Sequence, residues 1–132
     1  MRSSLAALAL ALVLAASPAH ARPHHHRHHH RAANVNEPGQ PSACAGIQWC
    51  GCWLRLHLGI GDARLNLARA WASIGEAVRG PAAGVVAVWP HHVGLITENL
   101  GGGLIRLLSG NDGNAVRERV RSTRGIIAYR KV

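Results

Sequence analysis

Apolar positions change their spacing twice along this 132-residue chain. Residues 5–16 form an unbroken run of Leu, Ala and Val. Further on, Trp49, Trp53 and Leu56 recur at i, i+4 and i+7, which predicts one apolar face of a helix over residues 48–58. Gly59 and Gly61 stop that helix. Asp62 or Asn66 is placed to cap a second helix, in which Leu67, Trp71 and Ile74 repeat the same spacing until Gly75. After the Gly80-Pro81 loop the pattern turns to short β-rich runs at 85–89, 93–97, 104–108, 115–120 and 126–129. Residues 99–103 and the Asn111-Asp112-Gly113-Asn114 stretch read as the turns between them. Two helices followed by about five antiparallel strands predict an α+β domain.

The first apolar run is too short for a membrane span. It holds twelve residues, against the ~20 needed to cross a bilayer. Arg2 precedes it, and Ala19 and Ala21 supply small residues at −3 and −1 of a cleavage site. Residues 1–21 therefore read as a secretory signal peptide, and no integral membrane segment is expected after its removal. Residues 22–43 follow as a histidine-rich segment and linker, with six histidines in the seven positions 24–30. So polar a run cannot bury apolar surface and is expected to be disordered. It reads as a spacer, or as a loose contact for metal ions or polyanions, since neutral imidazole is the commonest metal ligand. No ordered metal site and no cofactor follow from it.

Residues 44–132 remain, 89 positions, enough for one small domain with a single core. After the signal peptide, fourteen Lys and Arg against six Asp and Glu leave a charge of +8. Such a surface attracts anionic polymers. For an exported protein those are envelope polymers, and no nucleic-acid-binding motif is present.

The chemistry centres on Trp49-Cys50-Gly51-Cys52-Trp53. Cys50 falls in the first turn of the first predicted helix, where unpaired N–H groups and the helix dipole favour an anion. A thiolate there can attack a carbonyl, and the same N–H groups can hold the resulting oxyanion. The alternative is a small buried hydrophobe, the usual fate of a free cysteine. A general base must lie within hydrogen-bond reach of the sulfur. His57 sits about 10 Å along the same helix, which leaves His91 and His92 at the entry to the second predicted strand. Adjacent strand residues face opposite sides, so only one of the two can face the helix. Asn111 can hold an imidazole in its productive tautomer, as an amide does in Cys-His-Asn sites. It is also an ordinary residue for a turn before Asp112-Gly113, and Asp112 is the substitute for the role.

Three cysteines leave one unpaired in an oxidising compartment. On one helix, Cys50 and Cys52 diverge by about 200°, which disfavours a bond between them. Cys44 with Cys52 is the preferred pair and frees Cys50. Cys44 with Cys50 is the alternative, and it would silence the thiol.

Five short blocks, in order, resemble the papain-like NlpC and CHAP families of bacterial cell-wall hydrolases, in their small single-domain branch. Trp49-Cys50-Gly51-Cys52-Trp53 resembles that branch's cysteine block, and Ala68-Arg69-Ala70-Trp71 its Ala-Arg-Ser-Trp block. His91-His92-Val93-Gly94 is similar to its Gly-His-Val-Gly block, Ser109-Gly110-Asn111 to Gly-Gly-Asn, and Ala128-Tyr129-Arg130 to its final Gly-Tyr-Arg strand. The helical stretch that usually precedes the cysteine block is here replaced by the histidine tract and linker. The resemblance implies a papain-like fold, with Cys50 as nucleophile, His92 as base and Asn111 as the polar third member. It implies cleavage of amide bonds in peptidoglycan peptides by a periplasmic or secreted protein. The competing expectation is a non-catalytic periplasmic module that holds envelope polymers or metal ions through its basic surface and histidine tract.

Overall fold

Aliphatic residues at alternate positions in the second half of the domain build one antiparallel sheet. Its strands are β1 (Glu76–Ala77), β2 (Val86–Val88), β3 (Val93–Gly101), β4 (Leu104–Ser109), β5 (Arg117–Ser122) and β6 (Ala128–Lys131). They lie in the order β1-β6-β2-β3-β4-β5, with every neighbouring pair antiparallel. The structure, a computed structural model, describes residues 39–132. The predicted signal peptide and histidine tract lie outside the described residues, as does most of the linker.

The α+β class holds, and the element list needs correction. The sheet has six strands rather than five, because Glu76 and Ala77 pair with Lys131 and Arg130. Two exposed residues carry no alternation that a sequence pattern can register. β3 runs through Asn99, which was expected in a turn, and β-bulges interrupt its pairing with β4. The turn contracts onto Gly101, Gly102 and Gly103, all at positive φ, where side chains with a Cβ are strained. β5 lies two residues later than expected, and the alternation of Arg117, Arg119 and Arg121 defines it better than any apolar run.

The first predicted helix forms as α1 (Cys50–His57), and Gly59 at φ 67° follows its end. Its buried residues are Cys50, Gly51, Cys52 and Leu54, whereas Leu56 of the predicted face is 42% exposed. The second predicted helix is absent. Two 3-10 turns, Ala63–Asn66 and Ala68–Ser73, take its place, separated by Leu67 in extended conformation. Asp62 does cap the first of them, accepting from the Arg64 N–H at 2.9 Å. Leu67 turns outward, so its periodic position never reaches the core. Trp71 does reach it, and its indole N–H donates to the Leu65 carbonyl at 2.7 Å.

Apolar residues cover both faces of the sheet. On one face Val86, Val88 and Val93 pack with Cys50, Leu54, Leu65 and Trp71. On the other, Ala87, Ile96, Ile105 and Leu107 pack together under Trp89 and Tyr129. A third cluster joins Trp49, Val116 and the Cys44–Cys52 disulfide. Of the two pairings left open by the sequence, this is the preferred one, and it leaves Cys50 free. Gly110 lets the end of β4 approach α1, because a Cβ there would stand 2.6 Å from Trp53 Cβ. Among the described residues no helix is long and apolar enough to cross a membrane.

Candidate active site

Cys50 opens α1 and is 2% exposed. Its thiol donates to the His91 carbonyl at 4.0 Å, so the sulfur rests on the turn that carries both candidate histidines. Burial pushes the thiol above its ordinary range, while the N–H groups of Val93, Gly51 and Cys50 pull the other way. A thiolate favoured by the helix N-terminus was expected. In this core, desolvation outweighs the N–H groups.

The turn is a tight hairpin between β2 and β3. The Trp89 N–H donates to the His92 carbonyl at 2.8 Å, which leaves Pro90 and His91 at the tip. Val88 and Val93 pair across it and pack beside Cys50. Strand alternation therefore sends Trp89 and His92 toward the other face, where their ring centroids lie 6.2 Å apart. His92 Nε2 shares a hydrogen bond of 3.1 Å with the Ser109 hydroxyl, and Ser109 is fully buried at the end of β4. Burial holds the His92 imidazole below its ordinary pKa, the nearby Arg121 adds to that effect, and Asp112 opposes it. The imidazole is thus neutral at pH 7, the form a general base requires.

His91 is exposed. It lines a cavity of about 350 Å3 with Cys50, Gln48, Asn66 and Arg69. No hydrogen bond links the Cys50 thiol to either imidazole; its bond goes to the turn's backbone.

Asn111 is not at the imidazole. It adopts a left-handed conformation, φ 55°, at the start of the turn after β4. That change of direction carries it away to a surface cavity shared with Gln48, Trp49 and Asn114. Ser109 makes the contact assigned to Asn111. In the sheet, extending the register of Leu95 opposite Leu108 puts Ser109 opposite Gly94, two residues from His92, whereas the sequence showed it only as the first residue of the Ser109-Gly110-Asn111 block. Asp112 is 6% exposed and is held by Arg121 at 2.7 Å and Arg119 at 3.7 Å. It acts on His92 through its charge. Among the described residues, no three His, Cys, Asp or Glu side chains group as a metal site.

The lowered pKa of His92 has a consequence for stability. Below pH ~6.5 the unfolded imidazole takes a proton that the folded one resists. Stability is therefore full above that value and falls as pH drops toward the folded pKa. The raised Cys50 thiol sets the opposite limb, with stability falling once the unfolded thiol ionises at alkaline pH. Thermal melts between pH 5 and 7.5 should show the acid-side loss in the wild type and a flatter profile in His92→Gln. An identical slope in both proteins would place the acid sensitivity elsewhere.

Comparison with protein-family models, curated proteins and solved structures returns no match for this chain.

Proposed function

We propose that this chain is an exported cysteine hydrolase with a papain-like arrangement, cleaving amide bonds in peptidoglycan peptides. The observation that carries the reading is the seat of the one free thiol. Cys50 Sγ lies against the backbone of the hairpin turn bearing His91 and His92, at the first turn of a helix. In the tautomer whose Nε2–H donates to the Ser109 hydroxyl, His92 Nδ1 is the free acceptor.

In the proposed reaction substrate binding swings His92 from the far face of the hairpin toward the sulfur, and the thiol leaves the His91 carbonyl and passes its proton to His92 Nδ1. Sulfur then attacks the amide carbon, and the N–H groups of Cys50 and Gly51 receive the oxyanion. The C–N bond breaks as His92 returns the proton to the departing amine. Water hydrolyses the thioester, giving the carboxylic acid and the free thiol. Ser109 is a positioning residue, and Asn111 has no step in this scheme.

A second reading has its own support. The thiol bonds to a carbonyl rather than an imidazole, and burial raises its pKa. Both features suit a non-catalytic module that binds anionic envelope polymers through its basic surface. Release of peptide fragments from purified peptidoglycan separates the two. The hydrolase requires release by the wild type and none by Cys50→Ala, whereas the module binds the wall equally well in both forms.

A further inference from the structure

The Pro90–His91 turn has a cavity on each side. One contains Cys50. The other, about 390 Å3, is walled by Trp89, His91, His92, Arg121 and Arg124. Among the described residues, no acidic side chain lines this second cavity. Asp112 stands beside it with a single carboxylate, which two guanidinium groups, those of Arg121 and Arg119, already share. Arg124 adds a third positive charge, and its carbonyl accepts from the Trp89 indole N–H at 3.0 Å. The cavity thus holds more positive charge than its surroundings neutralise, beside an aromatic wall. A planar guanidinium fork fits a carboxylate in bidentate fashion.

We propose that this second cavity is a carboxylate-binding subsite, which takes a free carboxylate of a peptide whose chain crosses the Pro90–His91 turn toward Cys50. Pro90 and His91 wall both cavities, so a peptide lying over the turn enters each of them. The anion site stands on its own residues. The assignment of its ligand as substrate rests on the hydrolase reading.

The test uses the full chain carrying Cys50→Ala, so that no ligand is consumed. Three probes are titrated by calorimetry while the His92 ring resonances are followed. They are an N-acetylated dipeptide with a free C-terminal carboxylate, the same dipeptide as its C-terminal amide, and inorganic phosphate. The acid is expected to bind at least about tenfold more tightly than the amide and to shift the His92 signals. Arg124→Gln, a change at an exposed residue that leaves the fold intact, is expected to remove that preference, as is Arg121→Lys. Phosphate should bind more weakly than the acid. Equal binding of acid and amide overturns the subsite, and tighter binding of phosphate overturns the carboxylate assignment. Failure here leaves Cys50-dependent hydrolysis untouched, and failure of hydrolysis leaves the acid preference measurable.

Discussion

Cys50→Ala is expected to lower release of peptide fragments from purified peptidoglycan by at least about a thousandfold, to the level of buffer alone. The size follows from the role. In the proposed reaction removing the sulfur removes the covalent intermediate itself, and no second free thiol can replace it, because Cys44 and Cys52 are bonded to each other. His92→Ala should come close to the same loss, since groups that act as a unit fail together. His91→Ala should be milder, although His91 shares the Cys50 cavity. Among the described residues its exposed ring has no hydrogen-bond partner to fix it, whereas His92 is held by Ser109. A larger loss in His91→Ala than in His92→Ala would move the base to His91. Activity retained in Cys50→Ala would remove the hydrolase reading altogether.

Trp71→Ala is expected to be the most damaging single change to the fold. The indole is fully buried in the cluster that also holds Cys50, Leu54 and Leu65. Truncating a buried aromatic costs about 3–5 kcal/mol. The Leu65 carbonyl also loses the N–H that satisfies it, and an unmade buried hydrogen bond costs about a further 1–3 kcal/mol. Small domains have only about 5–15 kcal/mol of stability, so the variant should be largely unfolded or close to it. Trp71→Phe keeps most of the volume and loses the donor, so it should fall between the two. Urea unfolding followed by circular dichroism reads both. A midpoint for Trp71→Ala within the error of the wild type would mean that this cluster does not hold the 3-10 segment in place.

The parts of the fold that were legible in the sequence share one trait: their local pattern and their packing agree. Val86 and Val88 alternate toward the Cys50 cluster around the buried Ala87, and the strands at 86–88 and 93–101 follow. The disulfide was legible in part, because the angular offset of Cys50 and Cys52 on one helix disfavours a bond between them but leaves Cys44 either partner, and the fold takes Cys52. The failures came where tertiary contacts override periodicity. Leu67, Trp71 and Ile74 carry helical spacing, yet the Leu65 carbonyl is taken by the Trp71 indole and Leu67 faces outward. A strand as short as Glu76–Ala77 exists only because β6 lies beside it.

The site was legible to the same extent. The order of cysteine and paired histidines brought Cys50 and the turn together, because a helix start and a hairpin tip are local features. The third member was not, because Asn111 turns away at positive φ and a serine two residues earlier meets the imidazole instead. The direction of the thiol's pKa was missed for a related reason. A helix N-terminus can be read from the chain, but the depth at which the core buries it cannot.

Cys50 and His92 are proposed to work as a pair, and the thiol itself reports on it. Alkylation of Cys50 by iodoacetamide, measured against pH in the wild type and in His92→Ala, tests this most directly. With its neutral form favoured by burial, His92 should accept the thiol proton once pH exceeds its own lowered pKa. The wild-type rate should therefore rise first through that value, below ~6.5, and again at alkaline pH where the buried thiol ionises unaided. His92→Ala should lose the first rise and keep the second. A single alkaline rise, identical in the two proteins, would contradict the pairing and leave the chain a binding module.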